Sequence, residues 1–313
     1  MALAQTNEII AQLRNVSPEL ACEIVKFRPA GDRDQAAKLD RHGGKGGAFV
    51  GEIRDAIRDG QLQAAMHSLK DVPGDEEAPG LVLSAYLKRE AVEDALVLRN
   101  DHALAAFESS NGAGFKIGTN SVRRAAYMKR LYPGCEIIHY RGAADTRLSK
   151  LDERKMQQLP DGGEVGPADG LVMAVSGLAR VGASSRISKT FSPEEMLPAT
   201  GQGIVVVECA ANDFETRAAF ANIDHGPARS CALAEREVLW VLNGHCNSPI
   251  GAHARLDGER LSLRASVLSL DGKTCIEARG DGDRARPREV GRAVGLELLA
   301  KGAGALIEEA ALV

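Results

Sequence analysis

The chain has 313 residues and a formal net charge of −4 at pH 7, a length that exceeds one ordinary hydrophobic core and predicts two or three domains. The charge argues against a general nucleic-acid binder. No apolar run approaches the roughly 20 residues of a membrane span, and the start, MALAQTNEIIAQLRN, lacks the basic and apolar regions of a signal peptide. We therefore expect a cytoplasmic protein with no membrane or nucleic-acid partner.

In the first two thirds of the chain, predicted helices alternate with predicted strands. Residues 1–20 have the apolar spacing of an amphipathic helix, and residues 48–59 place apolar side chains on one face before the helix stop Gly60. Strands are predicted at CEIVKF, AAMHS, GLVLSAYL, DALVLR, FKIGTN, CEIIHYR and GLVMAV. Helices are predicted at SVRRAAYMKRLYPG and TRLSKLDE, and the segment 153–168 is expected to be an exposed loop. This alternation predicts an α/β fold with mostly parallel sheets.

The last quarter of the chain has a different pattern. Residues 228–243 predict a helix, after which LDGERLSLRASVLSLDGKTCIEARG alternates apolar and polar residues around Asp-Gly pairs at 257–258 and 271–272. That pattern is typical of an antiparallel meander. A closing helix is predicted from about Arg288. The sequence therefore predicts a small, separate α+β domain that begins just before the first of these helices.

The six cysteines are scattered and form no CxxC pair, so neither a zinc site nor a disulfide framework is indicated. We expect reduced thiols and no bound metal. The cysteines are Cys22, Cys135, Cys209, Cys231, Cys246 and Cys275. Cys246 differs from a usual free cysteine, which is a small buried hydrophobe, because it lies in the polar turn NGHCNSPIG. This turn joins the predicted helix of the last domain to its sheet.

Arginines and hydroxyl side chains gather just beyond the ends of predicted strands in the middle third, where helices are expected to begin. At that edge of an open α/β sheet ligands bind, and helix N-termini favour anions. Arginine pairs grip carboxylates or phosphates in a bidentate manner. Any one of these arginines is as readily explained as a solvated helix residue, but the placement of the whole set favours a polyanionic ligand. The set consists of Arg123, Arg124, Arg141, Arg147, Arg180 and Arg186, with Thr119 and Ser121.

The segment HSLKDVP, residues 67–73, places a lysine and an aspartate at the end of a predicted strand. Pro73 excludes helical geometry at Val72, so Lys70 and Asp71 are displayed on a rigid turn. A lone carboxylate among cations can stabilise positive charge that develops on a substrate. The alternative, an ordinary turn aspartate beside a solvated lysine, is slightly favoured by spacing alone.

Six motifs occur in the order and approximate spacing of the hydroxymethylbilane synthase family, also called porphobilinogen deaminases. They are HSLKDVP, GTNSVRR, RGAADTRLSKLD, AVSGLARVG, LPATGQG and NGHCNSPIG. The chain resembles this family over nearly its whole length. The resemblance implies two α/β domains like those of periplasmic binding proteins and a small C-terminal α+β domain. The implied bounds are 1–90 with 203–224, then 91–202, then 225–313.

The resemblance also implies an activity and a role for each motif. The family joins four porphobilinogen molecules head to tail, with release of ammonia, into hydroxymethylbilane for tetrapyrrole and heme biosynthesis. Cys246 would hold the dipyrromethane cofactor through a thioether, and Asp71 would stabilise the azafulvenium-like cation left when ammonia departs. The cofactor and growing chain would be held by Lys70, Thr119, Ser121, Arg123, Arg124, Arg141 and Arg147. The incoming substrate would be bound by Gln5, Ser68 and Arg180, and the enzyme would act as a monomer.

The sequence departs from the family pattern at its start. Family members begin with a strand whose following turn supplies an Arg and a Ser to the cofactor, and this sequence begins after that strand. We therefore expect a start site placed too late or a shortened chain, and reduced stability and activity in this form. Asn120 stands where the family usually has Ser, and His245 where it usually has Gly.

Two other functional classes stay open at this level. The same two-lobed architecture serves non-enzymatic binding proteins, so the chain is alternatively an inactive relative that binds pyrroles or other polyanions. In such a protein Cys246→Ser would leave binding intact. A redox enzyme that uses Cys246 is the other alternative, and the lack of a resolving cysteine nearby in the sequence counts against it.

Overall fold

The structure is a computed structural model that describes residues 2–26, 47–74, 78–159, 162–244 and 247–311. Its helices are α1 (Ala2–Val16), α2 (Gly47–Arg58), α3 (Leu104–Ser109), α4 (Val122–Leu131), α5 (Ala144–Asp152), α6 (Val175–Arg180), α7 (Phe214–Ala221), α8 (Gly226–Leu242), α9 (Pro287–Ala300) and α10 (Ala303–Ala311). Its strands are β1 (Ala64–Ser68), β2 (Leu81–Tyr86), β3 (Asp94–Leu98), β4 (Lys116–Gly118), β5 (Glu136–Ile138), β6 (Gln157–Gln158), β7 (Glu164–Val165), β8 (Gly170–Ala174), β9 (Lys189–Phe191), β10 (Val205–Ala210), β11 (Ile250–Asp257), β12 (Arg260–Leu268) and β13 (Cys275–Asp283). The described helices include none long and apolar enough to cross a membrane.

The first sheet has three antiparallel strands in the order β1-β10-β2. Its central strand, β10, returns from far along the chain to pair with both neighbours. On one face, Ile9 and Leu13 of α1 pack with Val205 and Val207 of β10. On the other face, Val206 of β10 packs with Ala228 and Ala232 of α8. Because side chains alternate along β10, this one strand contributes apolar residues to the core on each face of the sheet.

The second sheet has five strands in the order β5-β4-β8-β3-β9, with α4 packed against β5 and α5 and α6 against β8. β4 is parallel to β5 and β8, whereas β3 is antiparallel to β8 and β9. The prediction of mostly parallel sheets is therefore wrong for the described strands. The physical reason is that the chain crosses between the two sheets at 87–93 and again at 192–204. The strands that flank these crossings, β2, β3, β9 and β10, are antiparallel to the strands with which they pair.

The third sheet is an antiparallel meander, β11-β12-β13, and confirms the pattern predicted around the two Asp-Gly pairs. Its core-facing residues, such as Leu263, pack against Val238 of α8 and Val294 of α9. With two α/β sheets and this smaller sheet, the α/β fold class with a small C-terminal α+β unit is confirmed. We propose that each sheet is the centre of one domain, with the bounds given above, because β10 pairs only with strands of the first sheet among the described residues.

Two local predictions are wrong. Residues 22–26, predicted to form a strand, have no regular structure, and Ile24 and Val25 are exposed. Their β-forming sequence finds no partner strand in the described part of the chain, and an unpaired strand is not stable alone. The expected loop at 153–168 contains the short hairpin β6-β7 and buries Ala168.

The two Asp-Gly turns of the meander give a matched test of the packing between the second and third sheets. Gly258 and Gly272 both have positive φ, at 58° and 74°. A Cβ at Gly258 would meet open space, whereas one at Gly272 would lie 2.4 Å from the carbonyl oxygen of Ala126 in α4. Both alanine substitutions cost about 1–2 kcal/mol of left-handed strain. We expect Gly272→Ala to lower the melting temperature clearly more than Gly258→Ala, because only the former separates the turn from α4. Equal shifts would contradict this contact.

Candidate active site

A cleft lies between the first and second sheets and brings together six of the predicted site residues. These six are Ser68, Lys70, Asp71, Arg124, Arg147 and Arg180. The rest of the lining comes from Ala144, Met173, Ala174, Ser176, Gly177, Gly201, Gly203 and Ile204. The cleft therefore joins the end of β1 to the helices that follow the strands of the second sheet.

Lys70 and Asp71 lie on a single turn of 3-10 helix directly after β1. Leu69, which begins this turn, is 1% exposed, and its amide donates to the Ile204 carbonyl at 2.9 Å. Gly201 has a φ of 73°, and a Cβ there would lie 2.6 Å from Cγ of Leu69. Because Leu69 is buried beneath the segment 192–204, the next two residues of the turn, Lys70 and Asp71, line the cleft.

The same turn is held from behind by α8. Arg236 donates from Nη1 to the Val72 carbonyl at 2.9 Å and from Nη2 to the Pro73 carbonyl at 2.5 Å. Burial lowers the pKa of Arg236. The helix that leads toward Cys246 is thus hydrogen-bonded to the turn that carries Asp71.

A buried ion cluster stands behind the cleft and is centred on Asp94, which is 0% exposed. Its Oδ2 accepts a 2.7 Å hydrogen bond from Nη2 of Arg123, and its Oδ1 accepts hydrogen bonds of 2.7 and 3.0 Å from Arg124. The side-chain amide of Gln202 donates to Oδ1 at 3.0 Å. Burial raises the pKa of the Asp94 carboxyl, but the two guanidinium groups outweigh burial and hold this pKa well below its usual range. Asp94 is therefore a carboxylate anion held between two guanidinium groups.

Lys70 is connected to this cluster through Gln202. Its Nζ donates to Oε1 of Gln202 at 3.3 Å. Burial and the charge of Arg124 lower the pKa of Lys70 to about 8, although Asp71 and Asp94 raise it in part. The lysine is therefore a cation at neutral pH that loses its charge as the pH rises above 8.

Two further arginines supply positive charge on the opposite wall. Burial, followed by the charge of Arg124, lowers the pKa of Arg147 to about 10, and the Nε atom of Arg147 has no hydrogen-bond partner among the described residues. Nη2 of Arg180 lies 2.6 Å from Oε2 of Glu90 as an ion pair, and the Nε atom of Arg180 has no hydrogen-bond partner among the described residues. Burial raises the pKa of Glu90, and Arg180 lowers it in part. Donors on this wall are therefore available to an anionic ligand.

Several predicted residues lie behind the cleft lining. Arg123 is turned into the Asp94 cluster, and its Nη1 donates to the Leu197 carbonyl at 2.7 Å. Ser121 caps α4 by accepting from the amide of Arg124, and Thr119 accepts from the amide of Ser121. These three side chains therefore fix the start of the helix that carries Arg124.

Other predicted residues lie at the edges of the site. Gln5 of α1 donates to Oγ of Ser68 at 3.0 Å. Arg141 is half-buried, and its amide donates to Gln157 at 3.0 Å. The expected position at a helix start is wrong for Arg180, which ends α6, and for Arg186, which lies in a short turn and pairs with Asp152 at 2.7 Å.

Cys246 and His245 lie outside the residues that the structure describes. Before them, α8 ends at Leu242, and Asn243 forms its left-handed C-cap with a φ of 49°. The chain after them resumes at Asn247 and enters β11 at Ile250. The role of Cys246 as an attachment point stays a prediction.

Comparison with known proteins identifies the family. A family model described as "Porphobilinogen deaminase, dipyromethane cofactor binding domain" matches residues 1–218, and one described as "Porphobilinogen deaminase, C-terminal domain" matches residues 229–300. The chain belongs to the porphobilinogen deaminase family. The resemblance stated from the six motifs is therefore confirmed.

Individual porphobilinogen deaminases are similar over almost the full length of both chains. "Porphobilinogen deaminase 2" of Streptomyces coelicolor is 39% identical over 98% of this chain and 93% of that protein. The porphobilinogen deaminases of Coxiella burnetii and Syntrophobacter fumaroxidans are 34% and 37% identical, each over 99% of this chain and 94% of that protein. Among solved structures, the periplasmic VFT2 domain of Bordetella pertussis BvgS is similar with a TM-score of 0.38 and 14% identity, over 70% of this chain and 75% of that one.

The cleft fits the cofactor that the first family model names. Lys70, Arg124, Arg147 and Arg180 line it, against Asp71 as the one carboxylate of the described lining. Buried guanidinium Nε atoms of Arg147 and Arg180 lack hydrogen-bond partners in the described part of the chain. A buried donor without a partner is costly, and a ligand rich in carboxylates would satisfy these donors.

Sequence analysis missed Asp94 and Gln202, which organise the porphobilinogen deaminase cleft from behind. Asp94 opens a strand that is otherwise apolar, DALVL, and such a strand is expected to be buried on both faces. A buried aspartate needs a cation, so Asp94 could have been paired with the nearby arginines. Gln202 lies in LPATGQG and carries no comparable signal, since a glutamine in a glycine-rich segment is usually solvated.

Asp94→Asn tests the buried ion cluster. It leaves two buried guanidinium groups without a full counter-charge, which costs about 3–5 kcal/mol of stability. Asp101→Asn is the matched control, because Asp101 also pairs with two arginines, Arg99 and Arg154, but at the surface. We expect a large fall in melting temperature for Asp94→Asn and little change for Asp101→Asn. Similar melting temperatures for the two variants would contradict the organising role of Asp94.

Proposed function

We propose that this cleft is where the chain carries out the reaction of its family, the head-to-tail condensation of four porphobilinogen molecules into hydroxymethylbilane. Each condensation releases one molecule of ammonia. The chain is a transferase of tetrapyrrole and heme biosynthesis. The observation that carries this proposal is a cleft whose described lining has four cations and one carboxylate, Asp71. Family membership favours this reaction over the binding protein and the redox enzyme that the sequence left open.

The excess of cations matches the chemistry of the substrate. Every pyrrole ring carries an acetate and a propionate, so a growing chain is a ribbon of carboxylates. The Nε atoms of Arg147 and Arg180 are buried donors without partners among the described residues. Charge-assisted hydrogen bonds from arginine to carboxylate are strong and directional. We assign Arg180, together with Ser68 and Gln5, to the incoming substrate. Arg147 is assigned to the chain already formed.

Asp71 has a separate role because it is the one carboxylate in the described lining of the cleft. Loss of ammonia from porphobilinogen leaves a cation whose charge lies largely on the pyrrole nitrogen. A carboxylate held in place beside such a charge stabilises it without the reorganisation that water would need. Asp71 also accepts and returns protons during condensation. Its position is set by the burial of Leu69 and by the hydrogen bonds that Arg236 donates to the turn.

The dipyrromethane cofactor, joined to Cys246 through a thioether, supplies the primer end to which the first substrate unit is added. Lys70, Arg124 and Arg147 would hold its carboxylates from the cleft lining. The remaining residues assigned to the cofactor act at the margin or from behind. They are Thr119, Ser121, Arg123 and Arg141.

The surroundings of the enzyme belong to the same proposal. A monomer is sufficient because all the described walls of the cleft come from one chain. The cytoplasm suits a protein whose described cysteines are all free thiols, since thiols persist in a reducing compartment. With a net charge of −4, no nucleic-acid partner is assigned.

Asp71→Asn tests the proposed function. It keeps the shape of the side chain and removes the charge that stabilises the cation, so we expect porphobilinogen consumption to fall by about 10²–10³-fold. Consumption is followed by the colour reaction of porphobilinogen with an aldehyde reagent. Asp55→Asn is the control, because Asp55 is exposed on α2 and its one ion pair among the described residues is with Arg58 of the same helix. Normal consumption in Asp71→Asn, or none in the unaltered protein, would contradict the proposal.

A further inference from the structure

A second cavity, with about 310 Å³ of space, lies between the third sheet and the segment 193–197 that follows β9. We call it the sheet groove. Its floor is the face of the meander turned away from α8 and α9. Leu263 and Gly280 show which face is which, because Leu263 is buried in the core and a Cβ at Gly280 would meet Val294 of α9. Its wall comes from Pro193, Glu194 and Leu197, so the groove lies between the third sheet and the segment that follows β9.

Three basic side chains cross the floor of the groove in one row. His253 of β11 pairs with Arg264 of β12, and Arg264 pairs with Arg279 of β13, as direct cross-strand neighbours. Like charges placed directly opposite each other destabilise a sheet. Arg264 is balanced by Glu277, which accepts hydrogen bonds of 2.8 and 3.0 Å. The side chain of Arg279 is exposed and has no ion pair or hydrogen bond in the part of the chain that the structure describes.

His253 adds a hydrogen-bonding group to this row without adding a charge. Burial, helped by the charges of Arg89 and Arg255, lowers the pKa of His253 to about 4. At neutral pH the imidazole is uncharged and carries one N–H donor. The row therefore presents the guanidinium of Arg279 and the neutral donor of His253 on either side of Arg264. Arg264 itself donates to Glu277 and, at 3.4 Å, to the carbonyls of Pro193 and Glu194.

Two carboxylates also line the groove, and each has an arginine of its own. Glu194 lies 3.1 Å from Arg255, and Asp281 lies 3.4 Å from Arg260. Arg255 and Asp281 belong to the next row of the sheet, two residues along from His253 and Arg279. The positive charge that remains unbalanced is therefore at Arg279.

We propose that the sheet groove is a binding site for a small anion, with a carboxylate or phosphate group held between Arg264 and Arg279 and hydrogen-bonded by His253. Its volume is at the lower end of ligand pockets, which measure about 300–1,000 Å³. Paired guanidinium groups match the geometry of carboxylate and phosphate oxygens. This site is separate from the cleft and does not depend on the reaction assigned there.

The test is calorimetric titration of the full chain with citrate and, separately, with pyrophosphate at low ionic strength. The cationic cleft also attracts anions, so the two sites must be separated by variants. Arg279→Gln removes the unbalanced charge of the groove, and Arg147→Gln removes a cation of the cleft. We expect Arg279→Gln to weaken one binding event by about tenfold or more, as loss of a charged hydrogen bond does. Arg147→Gln should leave that event unchanged.

A matched control and a gain of affinity complete the experiment. Arg284→Gln removes a surface charge that pairs with Glu259 outside the groove, and should not alter binding. Glu194→Gln removes a carboxylate from the groove wall, and should strengthen the event that Arg279→Gln weakens. The anion that binds more tightly gives the preferred chemical class. The proposal is overturned if neither anion binds, or if binding is lost in Arg147→Gln and unaffected by Arg279→Gln.

Discussion

The structure depends most on one buried carboxylate, Asp94, and on the two arginines that it neutralises. Asp94 begins β3, whereas Arg123 and Arg124 begin α4, so their ion pairs join the strand to the helix next to the cleft. Gln202, in the segment 192–204 that crosses between the sheets, donates to Asp94 and accepts from Lys70. Arg123, the other partner of Asp94, donates to the Leu197 carbonyl at the edge of the third sheet. A buried charge without a partner is very costly. Removing Asp94 would therefore loosen the cleft from several directions.

The cleft differs from the Asp94 cluster, because the positive charges of its lining are only partly balanced by carboxylates. Arg147 has a buried donor with no partner among the described residues, and burial depresses the pKa of Lys70. Such an arrangement lowers stability in the empty protein and raises affinity for a polyanion, as is common at functional sites. Asp71 can act as a lone anion there because the Asp94 cluster, and not Asp71, neutralises Arg123 and Arg124.

Much of this account could be predicted from the sequence, because strong local patterns carried it. The Asp-Gly turns, the helix at 48–59 and the motif residues on the cleft all follow from spacing and residue chemistry. What failed depended on distant parts of the chain. The strand expected at 22–27 needed a partner that the described chain does not provide, and the direction of β3 is set by crossings between sheets. That Arg123 lies behind the cleft follows from its pairing with Asp94, which spacing alone does not reveal.

The most direct test of the central claim, that the cleft works with a primer assembled on Cys246, is the denaturing intact mass of the purified protein. It should be compared with Cys246→Ala and, as a control, with Cys22→Ala, which removes a partly exposed cysteine at a distant position in the chain. The account predicts extra mass equal to two porphobilinogen units less two ammonia in the unaltered protein and in Cys22→Ala. That mass should be absent from Cys246→Ala. A bare polypeptide mass in the unaltered protein, or extra mass that survives in Cys246→Ala, would contradict it.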